Sequence, residues 1–178
     1  VVLGAGARNA FASTSAPEKN SALIVFFSRS GNTRRMAGMI RDFTGGRLVE
    51  LKTAVPYPEE YRATTEQAKR ELESDFRPKL ATQAGDISSH DVVFIGSPSW
   101  WGTMAPPVRT FLTENDFSGK TLVPFITHEG SGLGKSVGDL GRLCPNSTIA
   151  RGLAVRGGSV DSAGKEIEQW LRDLKMIG

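Results

Sequence analysis

Short apolar runs alternate along the chain with segments whose apolar residues recur at helical spacing. Continuous apolar runs of this kind are typical of strands covered on both faces, as in a parallel sheet. Five such runs predict strands, at 23–27, 48–51, 92–95, 122–126 and 149–155. Helical patterns follow them, from residue 32, over about 59–74, over 106–114, over about 134–143 and in the last segment. This alternation of strand and helix predicts a doubly wound α/β sandwich.

The first and last predicted helices carry the clearest apolar stripes. Positions i, i+3, i+4 and i+7 share one face of a helix, and an apolar stripe at this spacing predicts burial of that face. The stripes consist of Met36, Met39, Ile40 and Phe43, and of Ile167, Trp170, Leu171 and Leu174. Trp170 is therefore interpreted as a core residue rather than a ligand contact. The fourth strand is less regular, because Pro124 within it has no N–H to donate to a ladder.

The chain of 178 residues suits one domain, which we assign to residues 21–178. Residues 1–20 differ in composition and include Ala10-Phe11-Ala12, which has the small-x-small arrangement that precedes a signal-peptidase site. They form an N-terminal extension, either the end of an export signal with its linker or a segment lying on the surface. We expect a cytoplasmic protein, or an exported one if residues 1–12 end a signal peptide. No later run has the length of a transmembrane helix.

Composition narrows the candidate chemistry. The 22 basic and 19 acidic residues leave a slight positive charge, too weak to indicate a nucleic-acid partner. The single cysteine, Cys144, excludes an internal disulfide and a cysteine-cluster metal site, and without a nearby histidine it is interpreted as a packing residue. Since His90 and His128 are the two histidines of the chain, no dedicated metal site is expected.

The first strand runs into a loop rich in hydroxyl side chains, residues 28–33, which we call the hydroxyl loop. Its hydroxyl groups come from Ser28, Ser30 and Thr33. Gly31 lets the backbone approach a ligand closely, and the first N–H groups of the following helix face the same point with their partial positive charge. The loop can therefore bind a phosphate without a metal or a lysine. Asn32 or Thr33 can cap the helix. The alternative is an ordinary strand-to-helix turn whose Ser and Thr side chains only cap the helix.

Two adjacent tryptophans follow the third strand, in the tryptophan loop (residues 96–107). Neighbouring side chains cannot easily share one buried face, and Gly and Pro residues bound this segment. Trp100 and Trp101 thus predict an aromatic wall for a flat ring system, whose polar edge would meet backbone N–H and C=O groups. The alternative is that one tryptophan packs against the protein and the other contacts a partner.

A glycine-rich segment follows the fourth strand, the glycine loop (residues 127–136). It is similar to a nucleotide P-loop, but the pattern G-x-x-x-x-G-K-[ST] needs glycine where this chain has Glu129. A flexible loop whose amides approach the edge of a ring fits the residues better. His128 is interpreted as a solvent-facing or capping histidine, with a ligand contact as the alternative.

Together these segments resemble a flavodoxin. The resemblance is carried by Ser28-x-Ser30-Gly31-Asn32-Thr33, Pro98-Ser99-Trp100-Trp101-Gly102, Phe117-Ser118-Gly119-Lys120 and Thr127-His128-Glu129-Gly130-Ser131-Gly132. Tyr57-Pro-x-x-Tyr61 narrows it to the flavodoxin-like proteins with such a segment. The resemblance covers residues 21–177 and implies a flavodoxin-like three-layer sandwich of the short-chain type. It further implies a five-stranded parallel sheet in the order 2-1-3-4-5 and non-covalently bound FMN.

By this resemblance three groups of residues are expected to contact FMN. Its phosphate would be held by Ser28, Ser30, Asn32 and Thr33 with the backbone amides of Arg29 and Gly31. Its isoalloxazine would be bordered by Pro98, Ser99, Trp100, Trp101 and Gly102, and its other edge by Thr127, His128, Gly130, Ser131 and Gly132. No catalytic residue and no metal ligand are assigned.

The function expected from the resemblance is electron transfer by an FMN-binding flavodoxin-like protein, with a redox partner protein or a small-molecule electron acceptor. One alternative is an FMN-dependent NAD(P)H oxidoreductase acting on quinone-like acceptors, and another is a partner-binding module on the same fold without flavin. Two departures from the family pattern concern charge: the chain is slightly basic, and Arg29 replaces a small residue in the hydroxyl loop.

Overall fold

The computed structural model describes residues 22–178, so the predicted N-terminal extension, residues 1–20, lies outside the described residues. The strands are β1 (Leu23–Phe26), β2 (Arg47–Glu50), β3 (Val92–Trp100), β4 (Thr103–Met104), β5 (Thr121–His128), β6 (Thr148–Ile149) and β7 (Leu153–Arg156). The helices are α1 (Asn32–Thr44), α2 (Tyr61–Glu73), α3 (Pro106–Glu114), α4 (Ser136–Leu143) and α5 (Gly164–Asp173). A 3₁₀ helix over Gly157–Ser162 precedes α5.

The central sheet is parallel and runs in the order β2-β1-β3-β5, with β6 and β7 both pairing to the far edge of β5. This confirms the predicted strand order, with β6 and β7 together in the fifth position. The short strand β4 pairs antiparallel to the end of β3 and makes a hairpin that the sequence pattern did not predict.

The fifth strand, expected as one run over 149–155, is divided in two, and Pro124 explains the division. β6 pairs with Thr121 and Leu122 of β5, and β7 pairs from Phe125 onward. Pro124 lies between these two stretches, where neither β6 nor β7 pairs with β5. Its missing N–H therefore leaves no ladder hydrogen bond unformed on this side of the strand. Gly152 passes its ring so closely that an added Cβ would stand 3.0 Å from the proline Cγ. A proline is thus accommodated inside an interior strand.

Side chains alternate between two apolar cores on the two faces of the sheet, as expected for strands covered on both sides. Leu23 and Val25 point into the core that includes residues of α3 and α4, whereas Ile24 and Phe26 point into the core beneath α1 and α5. Trp170 is 3 % exposed and meets the Phe94 ring edge-on, which confirms its prediction as a core residue.

One predicted stripe position is wrong: Phe43, in the last turn of α1, is 38 % exposed. The buried face of the helix ends at Ile40, one turn before its last residue, Thr44. Between residues 22 and 178, no helix has both the length and the apolar character needed to cross a membrane.

Candidate functional site

A cavity of about 700 Å³ opens at the carboxyl ends of β1, β3 and β5. This edge is where doubly wound sheets bind ligands, and the volume lies within the range of small-molecule sites. Its walls consist of Arg29, Ser30, Asn32, Tyr61, Thr64, Thr65, Ala68, Pro98, Ser99, Trp100, Trp101, Thr127, His128 and Glu129.

The hydroxyl loop turns sharply into α1, and Ser28 closes the turn. Its Oγ accepts hydrogen bonds from the amides of Gly31 and Arg34, each at 3.2 Å. Gly31 is the residue before the helix and has φ of 92°, a left-handed conformation that favours glycine. The helix is thus capped by Ser28 across the turn, and the expectation of Asn32 or Thr33 as the cap is wrong.

The first helical amides remain available to a ligand. Asn32 and Thr33 occupy the first two positions of α1, where no carbonyl of the helix lies four residues earlier to accept their N–H groups. The Thr33 hydroxyl, by contrast, points into the protein and shares a buried 2.8 Å hydrogen bond with the hydroxyl of Thr127. The donors nearest the cavity are therefore the amides at the start of α1 and the exposed Ser30 side chain.

Two of the three arginines of this region are paired with carboxylates. Arg34 forms a two-pronged contact with Glu50, and the hydrogen bond from Arg34 is the main cause that lowers the pKa of that carboxyl. Arg35 contacts Asp161 at 2.9 Å. Arg29 instead donates to the backbone carbonyl oxygen of Glu59 at 2.7 Å.

The tryptophan loop contains a two-residue hairpin turn. Trp101 and Gly102 have φ of 52° and 77°, and positive φ at both central residues is the mark of the type I′ turn that joins antiparallel strands. This turn usually takes Asn-Gly, and a bulky residue at its first position is strained. The turn holds Trp101 58 % exposed at the cavity mouth, where its Nε1 donates to the Thr65 carbonyl oxygen of α2.

The neighbouring Trp100 points the other way and is half-buried. It meets Phe27 and Tyr57 edge-on, with ring centres 5.5 and 5.0 Å away. Tyr57 in turn donates to the buried Glu71, and burial, followed by this carboxylate, raises the pKa of the Tyr57 phenol. One tryptophan therefore packs against the protein, as one alternative expected, yet both tryptophans line the cavity.

The glycine loop is tied to the tryptophan loop. The Lys135 amide donates to the Gly102 carbonyl oxygen at 2.7 Å, and the hydroxyl groups of Ser99 and Ser131 lie 2.6 Å apart. His128, half-buried at the end of β5, lines the cavity, while its Nδ1 is buried without a hydrogen-bond partner.

Part of the predicted contact set lines the cavity: Arg29, Ser30, Asn32, Pro98, Ser99, Trp100, Trp101, Thr127 and His128. The others lie in the same three loops outside its walls: Ser28, Gly31, Thr33, Gly102, Gly130, Ser131 and Gly132. Sequence reasoning did not assign the wall formed by Tyr61, Thr64, Thr65 and Ala68 of α2, or Glu129 of the glycine loop.

The α2 wall offered little signal in the sequence. The buried residues of this helix are Thr64, Ala68 and Glu71, so its inner face has no apolar stripe. Among the described residues, no group of three or more His, Cys, Asp and Glu side chains is placed to hold a metal ion.

A family model described as flavodoxin matches residues 21–174, and the chain belongs to this family. The search of curated proteins found no match to the chain.

Solved structures agree with the family. A Bacteroides eggerthii protein assigned as a flavoprotein is 29 % identical, with a TM-score of 0.76, and the match covers 85 % of this chain and 96 % of that one. A Lactobacillus acidophilus flavoprotein solved in complex with FMN is 24 % identical over 80 % of this chain and 97 % of that one, with a TM-score of 0.65. The apo-form of the flavoprotein from the same organism is 26 % identical over 80 % and 95 %, with a TM-score of 0.60. The fold and family of the chain are those of a flavodoxin-like flavoprotein.

Proposed function

We propose that the protein binds FMN non-covalently in this cavity and transfers electrons. The observation that carries the proposal is the position of the cavity. It lies between a helix start, whose first amides have no partner within the helix, and a pair of tryptophans, at the ligand-binding edge of a flavodoxin-family sheet. The FMN complex of the similar Lactobacillus acidophilus flavoprotein supports the choice of cofactor.

The phosphate end of the site fits an anion. The amides of Asn32 and Thr33 lack intrahelical partners, and the positive end of the α1 dipole reinforces them. Ser30 adds an exposed hydroxyl group. Ser28 would act through its Oγ, which holds the turn in the shape that presents these donors. Thr33 would contribute its amide, because its hydroxyl is bonded to Thr127.

The ring end of the site fits a flat aromatic group. Trp100, Trp101 and Pro98 supply apolar surface, and the glycine loop borders it through Thr127, His128 and Glu129. Tyr57 and Phe27 support Trp100 from behind, so one side of this wall is rigid. When bound, FMN would supply the electron-transfer chemistry that no side chain of the cavity carries.

The visible spectrum of the purified protein, after incubation with FMN and removal of free FMN, tests the first half of the proposal. Retention of the absorption of oxidised flavin at one FMN per chain is expected. A colourless protein would overturn the proposal and favour a partner-binding module on the same fold.

Reduction of the FMN-loaded protein tests the second half. We expect the chemically reduced protein to pass its electrons to an added one-electron acceptor such as ferricyanide, and NADPH alone to reduce it only slowly. Rapid NADPH oxidation in the presence of a quinone would instead assign the protein as a small reductase.

A further inference from the structure

Glu129 is the acidic side chain among the residues that line the cavity. It belongs to the glycine loop, but its carboxylate turns towards the start of α1. An added Cβ at Gly157 would stand 2.5 Å from Nδ2 of Asn32 and still closer to Oε1 of Glu129, so these two atoms lie within about 5 Å of each other. A carboxylate thus lies beside the first residue of the helix whose amides we assign to the phosphate.

The side chain of Asn32 is oriented with its amide nitrogen on the Glu129 side. Its Oδ1 accepts a hydrogen bond from Arg35, so Nδ2 is the end that faces Gly157. Gly157 is buried and directly follows β7. Because glycine has no side chain, Asn32 and Glu129 can both occupy the space in front of it. The fold therefore makes room for the carboxylate at this point of the cavity.

The carboxylate of Glu129 has no direct cationic partner. Arg34 and Arg35 reach the hydroxyl loop with their guanidinium groups, but each of them is paired with a different carboxylate. Arg156 is exposed at the end of β7, where it is the neighbour of His128 in the sheet. Within residues 22–178, none of the ion pairs includes Glu129.

We propose that Glu129 limits the affinity of the cavity for the phosphate group of FMN and so makes the cofactor easier to release. This inference rests on the proposed function, since it concerns the FMN bound there. A phosphate monoester carries a charge of about −1.5 to −2 at neutral pH. A carboxylate beside the start of α1 repels this charge, whereas the amides and the helix dipole attract it. Riboflavin has no phosphate group, so the repulsion should act on FMN alone.

The substitution Glu129→Gln tests the inference, because it removes the charge and keeps the size of the side chain. We expect the flavin-free variant to bind FMN about threefold to tenfold more tightly than the unmodified protein in fluorescence titrations at low ionic strength, as for charges several ångströms apart near water. The dissociation constant for riboflavin should be unchanged. The gain for FMN should shrink as the salt concentration rises.

Two further variants locate the effect. Glu129→Asp keeps the negative charge and should retain most of the weaker FMN binding of the unmodified protein. Glu114→Gln is the matched control, because it makes the same change of net charge at an exposed position. Glu114 ends α3, which runs back from the carboxyl end of β3 to the opposite edge of the sheet. This control should leave the dissociation constants of both flavins unchanged.

Unchanged FMN binding in Glu129→Gln would overturn the inference. Weaker binding of both flavins would overturn it as well, because Glu129 would then hold the ribityl chain that they share. An equal gain for riboflavin, or an equal gain in Glu114→Gln, would do the same, since neither acts through the phosphate at this point. If the unmodified protein bound neither flavin, the proposed function would fail and this inference with it. That result is distinct from FMN binding that Glu129→Gln does not improve.

Discussion

Thr33 and Thr127 share a hydrogen bond between their hydroxyl groups, with the oxygens 2.8 Å apart and both residues buried. Thr33 stands in the first turn of α1, and Thr127 is the next-to-last residue of β5, with β3 between them in the sheet. The contact joins the hydroxyl loop to the glycine loop across the base of the cavity. It therefore sets the separation of two of the three loops that surround the proposed cofactor.

The first prediction concerns this pair. Thr33→Val or Thr127→Val leaves one buried hydroxyl without a partner and should lower the free energy of unfolding by about 1–3 kcal/mol. The double variant removes both polar groups. Its loss of unfolding free energy should be clearly smaller than the sum of the losses in the two single variants. Urea denaturation of the four proteins measures the coupling, and strictly additive effects would contradict the shared bond.

The second prediction concerns the contact between the glycine and tryptophan loops. Gly134 has φ of 51°, and a Cβ there would lie within 2.3 Å of the Gly102 carbonyl oxygen. Gly134→Ala should therefore force the loops apart, with lower thermal stability and weaker FMN binding. Gly141→Ala is the matched control, because a Cβ at this position inside α4 would meet nothing within 4 Å. Since alanine is favoured over glycine within a helix, this variant should raise the free energy of unfolding by about 0.5–1 kcal/mol. Equal behaviour of the two variants would count against the contact.

The third prediction concerns the support of Trp100. Tyr57→Phe leaves the buried Glu71 carboxyl with Gln67 as its remaining side-chain partner, and should lower the free energy of unfolding by about 1–3 kcal/mol. Tyr61→Phe removes an exposed hydroxyl group and should change it by less than about 0.5 kcal/mol. Urea denaturation checks both variants. A similar loss of unfolding free energy in the two variants would show that the Tyr57–Glu71 hydrogen bond does not stabilise the protein.

The fourth prediction concerns Cys144, which is buried in the core beside α4. Burial raises the pKa of its thiol to about 11, so the folded protein should hold it protonated and resist alkylation at neutral pH. Because the folded pKa lies above that of an unfolded cysteine, this group's stabilising contribution is complete below about pH 8.5 and is lost as the pH rises towards about 11. Iodoacetamide labelling in buffer and in urea measures the difference. Rapid labelling of the folded protein would contradict the burial.

The doubly wound parallel sheet could be predicted from the sequence, because runs such as 92–95 are continuously apolar and alternate with helical stripes. Its strand order was implied by the resemblance to flavodoxins. The division of the fifth strand could not be predicted, since it depends on where Pro124 lies relative to β6 and β7, a relationship between distant segments. The hairpin turn at Trp101 and Gly102 could not be predicted either. Its turn usually takes Asn at the first position, and a tryptophan there gives no local signal.

The candidate site divides in a similar way. Loop residues with distinctive chemistry, such as Ser30 and the two tryptophans, could be located because Gly, Ser and Trp cluster at strand ends. The wall contributed by α2 could not, because Thr64 and Ala68 are ordinary residues whose role arises from the packing of the helix across the cavity. The Ser28 cap also requires a three-dimensional view, since Ser28 lies six residues before Arg34, the helical residue whose amide it accepts.

The most direct test of the central claim compares FMN with riboflavin, which lacks the phosphate. Titration of the apoprotein with each ligand, with EDTA present, should give a dissociation constant for FMN at least about 100-fold lower than that for riboflavin, because two or more amides at the start of α1 meet the phosphate. Equal affinities for the two flavins, or FMN binding that disappears with EDTA, would contradict the account.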